Sequence, residues 1–231
     1  MIDFNILQWN MNGFINNMSE LQILINENNP SFISIQETHC NNTFNPIPPK
    51  NYKAYFFNSP TNTTSKQGVG ILIKHNIPHK LLNIATQLQV VAIEINLNIK
   101  FSIISIYIPP SQLLTHQDLL NIFQNIRTPY IVLGDFNSWN TLWGSNVNNS
   151  RGNEVERALY LSNLCLLNDG QPTHFSTHST FTNIDLSFCS PTIFPLITWK
   201  IIDDLHNSDH YPILVNFCNT TSTIKHKLPP K

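Results

Sequence analysis

The chain has 231 residues, of which 41% are hydrophobic and only 12% charged, and its formal net charge is −1. That length and apolar content suit one domain with a sizeable core. The near-neutral balance, with no long basic run, excludes a protein that holds nucleic acid mainly by charge, and no apolar run approaches membrane-spanning length.

Cys40, Cys165, Cys189 and Cys218 show neither CxxC pairing nor short metal-type spacing, which reads as reduced, largely buried thiols of an intracellular protein. The sequons Asn41-Asn42-Thr43 and Asn62-Thr63-Thr64 are what chance gives in so Asn-rich a chain. No charged segment followed by an apolar one opens the sequence, so a soluble, non-exported protein is expected.

In chain order, residues 4–10 form a first strand ending at Asn10, followed by the Asn12-Gly13 turn. Ser19 and Gln22 are placed as a capping box for a helix that carries Leu21, Leu24 and Ile25 on one face and stops before Pro30. Residues 31–37 form a second strand. A right-handed β-α-β crossover lays the two strands parallel and sets Asn10 and Glu37 at one edge.

Residues 40–66 read as a loop rich in Asn, Pro and Thr, and 68–74 as a strand. Residues 89–97 alternate Val91, Ile93, Ile95 and Leu97 with polar neighbours, which predicts an antiparallel strand with one wet face, and 101–107 follow as its hairpin partner. After Pro109-Pro110, a helix is expected over 116–127. It leads into Tyr130-Ile131-Val132-Leu133-Gly134-Asp135-Phe136-Asn137, a β-branched run that delivers Asp135 and Asn137 to the carboxyl edge of a sheet, where open α/β folds bind ligands. A helix is expected over 153–166, and strands over 180–187, 198–202 and 212–217. His75, His79, His116 and His226 are expected to face solvent, and Trp139 and Trp143 to anchor core or loop. The polar, then Lys-Pro-rich tail gives an expected division into a domain at 1–219 and a linker at 220–231.

The strand ends repeat one theme. Asn10, Glu37, Tyr107, Asp135, Asp185 and the Asp209-His210 pair all close strand-like runs or lie beside them, and four of the chain's 14 acidic residues are among them. If the strands share one rim, these side chains converge.

In order and spacing, Trp9-Asn10, Gln36-Glu37-Thr38-His39, Tyr107-Ile108-Pro109-Pro110, Gly134-Asp135-Phe136-Asn137, Ile184-Asp185 and Ser208-Asp209-His210 resemble the exonuclease-endonuclease-phosphatase superfamily, which includes apurinic endonucleases and DNase I. The run 134–145 with its Leu142-Trp143-Gly144-Ser145, then Arg151-Gly152, then 167–175 with its Asn168-Asp169-Gly170-Gln171-Pro172-Thr173, is similar to the apurinic-type endonuclease domain of non-LTR (LINE) retrotransposons, the Jockey and R1-like groups in particular. The resemblance covers nearly the whole chain. It implies an α/β four-layer sandwich, two mixed β-sheets face to face with helices outside. It also implies a divalent-metal phosphodiesterase that nicks double-stranded DNA and leaves a 3′-hydroxyl to prime reverse transcription.

On that reading Glu37 is the main Mg²⁺ ligand with Asn10 beside it, Mn²⁺ being an alternative. His210, paired with Asp185, either takes the proton of the attacking water or holds the scissile phosphate. Asp135 is the rival general base, oriented by Asn137; Tyr107 donates to the phosphate, and Asp209 holds a second metal or shapes its loop. The segment with Thr173, His174, His178, Thr180 and Thr182 resembles the variable hairpin that enters the DNA minor groove. A fused reverse transcriptase, a monomeric isolated domain and action in the nucleus complete the expectation. Repair enzymes of the family commonly carry Asn where this chain has Pro110 and often Asp where it has Asn12, which weakens an abasic-repair role. The remaining rivals are an inositol- or lipid-phosphate phosphatase, for which no Arg/Lys cluster is visible, and a DNA-binding module without catalysis.

Overall fold

The computed structural model describes residues 4–40, 46–57, 67–97, 100–127, 129–176 and 179–218. In chain order the elements are β1 (Phe4–Asn10), α1 (Met18–Asn28), β2 (Phe32–Gln36), β3 (Tyr52–Phe57), β4 (Val69–Lys74), β5 (His79–Leu82), β6 (Gln89–Asn96) and β7 (Lys100–Tyr107). There follow α2 (His116–Phe123), β8 (Tyr130–Asp135), α3 (Ser150–Leu161), β9 (Cys165–Leu166), β10 (His174–Phe175), β11 (Phe181–Thr182), β12 (Asp185–Cys189), β13 (Ile197–Ile201) and β14 (Ile213–Phe217). Two six-stranded mixed sheets form, in the orders β13-β14-β1-β2-β4-β3 and β5-β6-β7-β8-β12-β9, with β10-β11 as a separate hairpin.

Side-chain alternation builds the layers. The inward rows of both sheets, among them Ile6, Ile71 and Ile73 from one and Ile93, Ile103 and Leu133 from the other, make a single central core. On the outside, Leu21, Leu24 and Ile25 of α1 pack on Leu7, Ile33 and Ile35. On the other sheet, Leu119 and Ile122 of α2 and Val155 and Ala158 of α3 cover Ile104, Ile106 and Val132. The result is the four-layer α/β sandwich of DNase I-like proteins.

The inward rows change character along the strands. At one end, Phe4 stacks on Phe101 at 4.8 Å and on Phe217 at 4.6 Å, closing the sandwich with rings. Further along lie Gln8, Ser34, Gln36, Ser105 and Ser187, all buried. Ser34 Oγ donates to Ser105 Oγ at 2.8 Å, and Ser187 Oγ to Gln8 Oε1 at 2.7 Å. Gln8 Nε2 donates to the Gly134 carbonyl at 3.2 Å. Buried polar groups need such partners, and these ones cross between the sheets, so they fix how one sheet is set against the other. The next inward positions are Asn10, Tyr107, Asp135 and Asp185.

β1 and β2 are parallel, with Asn10 opposite Gln36, as the crossover argument requires. Several local expectations are corrected. The supposed loop at 40–66 contains the edge strand β3, and β5 was not anticipated. Helix α1 starts at Met18 behind Asn17, without a side-chain cap; Asn17 instead donates to the Met11 carbonyl at 2.6 Å, so no capping box forms at Ser19 and Gln22. The helix expected over 116–127 ends at Phe123, and that over 153–166 runs from Ser150 to Leu161, leaving Cys165 and Leu166 to pair in β9. The outer face of β6 is wet only at its far end, where Glu94 is partly exposed and Asn96 exposed, because Ala92 is buried under the α2 layer and Val90 packs there too. The strand expected over 180–187 is split between β11 and β12. His79 lies 2.9 Å from the Tyr55 hydroxyl and His116 Nδ1 lies 2.7 Å from Glu154, so neither is a free surface imidazole. Trp143 is core, whereas Trp139, 43% exposed, belongs to the loop, where its backbone pairs with Asn149. Residues 219–231, including the expected linker and His226, lie outside the described residues, as does His178. Among the described residues the four cysteines are free thiols, and no helix is long and apolar enough to cross a membrane.

Candidate active site

At the polar rim, the ends of five strands, β1, β2, β7, β8 and β12, bring side chains from both sheets to one point. Glu37, just past β2, has φ 47°, a left-handed conformation that turns its carboxylate back over the rim. Its Oε1 accepts from Asn10 Nδ2 at 3.2 Å and from the Tyr107 hydroxyl at 3.0 Å, and its Oε2 lies 3.4 Å from His39 Nε2. Burial raises the Glu37 carboxyl, but the donors around it, His39 foremost, outweigh burial and hold it below the usual carboxylate range.

Asp135 ends β8 and is 1% exposed. Asn10 Nδ2 donates to its Oδ2 at 3.0 Å, as does Asn137 Nδ2 at 3.1 Å, and the Asn137 backbone N–H donates to Oδ1 at 2.9 Å. Burial, then the nearby Asp185, push its carboxyl up to about 8. Asp185, opposite Asp135 across the β8–β12 ladder, accepts from His210 Nδ1 at 2.8 Å. Burial alone would lower the His210 imidazole, but the Asp185 carboxylate overrides it and pushes His210 up to about 10. Asn10 Nδ2 also stands 3.3 Å from His210 Nε2, so one amide group lies against Glu37, Asp135 and His210 together.

The His210 loop is fastened to β1. Trp9 Nε1 donates to the His210 carbonyl at 3.1 Å, and Ser208 Oγ donates to the Asn10 carbonyl at 2.8 Å. Asp209 lies at the mouth, its Oδ1 4.0 Å from His210 Nε2.

Glu37, Asn10, Tyr107, Asp135, Asn137, Asp185 and His210 are therefore one connected cluster. The hairpin residues divide. Thr173 is fully buried, and its hydroxyl accepts the Ile184 and Asp185 backbone N–H groups at 3.2 and 3.0 Å, so it holds the strand that carries Asp185. His174 leans on His210, with ring centroids 4.5 Å apart. Thr180 is exposed on the outer part of the hairpin, whereas Thr182 pairs with His174 and its hydroxyl lies 2.7 Å from His174 Nδ1. Arg151 carries a role that sequence reading missed: its guanidinium donates to the carbonyls of Ile108, Pro109, Pro110, Phe136, Asn137 and Gln112, tying the loop after β7 to the loop after β8. A lone Arg beside Gly152 in the sequence gives no sign of it.

The donor set suits a hard divalent cation. The rim holds more carboxylates than imidazoles can neutralise, Asp135 is raised first by burial and then by Asp185, and among the described residues the buried Asp185 Oδ1 finds no hydrogen-bond partner. Glu37 is the accessible ionised oxygen donor. Asn10 turns its NH₂ to Glu37 and its Oδ1 to the Asn12 N–H at 3.2 Å, so ligation through oxygen requires the amide to turn over.

The four-layer fold is shared with solved endonucleases, exonucleases and phosphatases. Residues 101–214 match the family described as endonuclease-reverse transcriptase. A probable RNA-directed DNA polymerase from transposon X-element of Drosophila melanogaster is 31% identical over 221 residues, 93% of this chain and 24% of that protein. The polymerase from mobile element jockey of the same species is 24% identical over 89% of this chain and 23% of its own length. The chain thus spans about a quarter of these curated relatives. The solved endonuclease domain of TRAS1, a telomere-specific non-LTR retrotransposon, superposes with a TM-score of 0.78 at 22% identity, covering 94% of this chain and 99% of that one. The chain is similar to this family over residues 101–214 and shares the fold of the TRAS1 endonuclease domain over 94% of its length.

Proposed function

We propose that the chain nicks double-stranded DNA by Mg²⁺-assisted hydrolysis, leaving a 3′-hydroxyl from which a fused reverse transcriptase extends in the nucleus. The observation that carries this reading is the meeting of Glu37, Asn10, Asp135 and the His210–Asp185 pair in one hydrogen-bonded rim. Glu37 and Asn10 hold the cation. When bound, it offsets charge on the phosphate and draws Asp135 back towards ionisation.

Asp135, held by the amides of Asn10 and Asn137, takes the proton of the attacking water. The water oxygen bonds to phosphorus, the P–O3′ bond breaks, and the 3′-oxygen takes up a proton from solvent. His210 carries positive charge at neutral pH and holds a non-bridging phosphate oxygen; Asp185 fixes its ring. Tyr107 turns its single O–H from Glu37 to the same phosphate. A cavity of about 1020 Å³ runs outward from Asn137 and His174 past Trp139, Thr180 and Thr182, and the DNA strand follows it.

Supercoiled plasmid with Mg²⁺ is the test. Relaxation by the wild type, none with EDTA and none with Glu37→Ala or His210→Ala is expected, and the nick should be extended directly by a polymerase. Relaxation that persists in EDTA or in Glu37→Ala would overturn the reading, and release of phosphate from an inositol phosphate without plasmid relaxation would reassign the substrate.

A further inference from the structure

We propose that His174, Asp209 and His210 form a second cation site, suited to a borderline metal of the Zn²⁺ class rather than to Mg²⁺, at the mouth of the rim. The ligand atoms of these three residues lie within 4.8 Å of one another. His174 Nε2 is 3.9 Å from one oxygen of Asp209, and His210 Nε2 is 4.0 Å from the other.

Each imidazole is set for ligation by a partner on its far nitrogen. His210 Nδ1 is held by Asp185 at 2.8 Å and His174 Nδ1 by the Thr182 hydroxyl at 2.7 Å. Metal-ligating histidines are oriented in this way, with the second nitrogen fixed by an oxygen so that the first faces the ion. The backbone holds the three together as well. His174 and His210 are bridge partners, the Phe175 N–H donates to the Asp209 carbonyl at 2.8 Å, and the Tyr211 N–H donates to the Thr173 carbonyl at 2.8 Å.

Two imidazoles and one carboxylate select Zn²⁺ or a similar ion over the hard, oxygen-seeking Mg²⁺. In a tetrahedral site with bonds of about 2.0–2.1 Å, neighbouring ligand atoms are about 3.3 Å apart. The Asp209 side chain, 40% exposed, has room to rotate in by several tenths of an ångström and closes most of the gap; the imidazoles, at 15% and 5%, have less freedom. Water takes the fourth position. A cation on His210 Nε2 removes that nitrogen from the phosphate, so Zn²⁺ inhibits the chemistry that Mg²⁺ supports; this consequence rests on the nicking reading, whereas the site itself does not.

Co²⁺ added to the intact protein serves as the probe. A visible band of four-coordinate cobalt, displaced by equimolar Zn²⁺, is expected in the wild type and in Glu37→Gln, and is expected to vanish in His174→Gln and Asp209→Asn. Thr182→Val, which keeps every ligand and removes only the support of His174, should weaken binding roughly 10- to 100-fold. Absence of the band in the wild type, full retention in His174→Gln with unchanged affinity in Thr182→Val, or loss in Glu37→Gln would each overturn the site. In the nicking assay, stoichiometric Zn²⁺ should inhibit the wild type, and Thr182→Val should need more of it. Cobalt binding without any nicking activity would refute the proposed function and leave the site standing.

Discussion

Replacing Gly134 by alanine tests how the site is held. A Cβ at this position would lie 2.0 Å from the Ile106 carbonyl oxygen, 2.9 Å from its carbon and 3.1 Å from its nitrogen. All three are backbone atoms of β7, which has no flexible end to swing aside. Ile106 pairs with Gly134 in the parallel ladder and Tyr107 pairs with Asp135 one step on, so the strands must part where they deliver two site residues. Overpacking costs about 1–3 kcal/mol, and each ladder hydrogen bond stretched beyond reach adds about 0.5–1.5 kcal/mol. A loss of about 3–5 kcal/mol follows, which for a domain of this size lowers the melting midpoint by roughly 6–20 °C. A shift of about 1 Å in Asp135 or Tyr107 costs about 10²-fold in rate.

Gly170→Ala is the control. Its Cβ would meet nothing within 4 Å, so only the left-handed φ of 94° is penalised, at about 1–2 kcal/mol. Urea unfolding of both variants, with plasmid nicking measured well below their midpoints, gives the comparison. If Gly134→Ala unfolds with the wild type, or falls no further than Gly170→Ala, the close approach of β7 and β8 does not set the geometry of the rim.

Other substitutions separate positioning from chemistry. Asp185→Asn removes the charge that fixes His210 and should cost about 10²- to 10⁴-fold in nicking; a rate within threefold of wild type would remove Asp185 from the mechanism. Arg151→Lys cannot reach six carbonyls with a compact ammonium, so it should lower both the unfolding midpoint and the nicking rate, and an unchanged midpoint would show that the two loops hold without it. Glu154 is held below its ordinary carboxyl value of 4.5 chiefly by the backbone N–H and imidazole of His116. Its folded pKa being depressed, it stabilises the domain above that ordinary value and the contribution disappears as pH falls through the folded pKa. The stability difference between wild type and Glu154→Gln should therefore be present near pH 6 and shrink towards pH 3; a gap that widens on acidification would reverse the assignment.

The rim was legible because its residues sit at the ends of strands whose inward alternation is plain: Phe4, Ile6, Gln8 and Asn10 in β1, and Ile131, Leu133 and Asp135 in β8. The edge strands were not. β3 alternates only weakly between buried and exposed positions and follows a Pro-rich approach, so it carries little periodic signal. The start of α3 was hidden by Gly152, a poor helix former that is there because a Cβ would come within 1.9 Å of the Trp139 carbonyl. His174 read as a hairpin residue facing DNA, and only the backbone bridge to His210 reveals its neighbour. Such pairings depend on how two distant segments return to each other, which no local pattern records.

Asn10 and His210 are separated by 200 positions in sequence, and β14, which follows His210, lies between β13 and β1 in the interior of its sheet. The order of synthesis therefore matters: until β14 has left the ribosome, β1 lacks a neighbour and the rim lacks its imidazole. A growing or prematurely stopped polypeptide therefore lacks one side of the rim, and the cluster of Asn10, Asp135, Asp185 and His210 exists only in a finished domain.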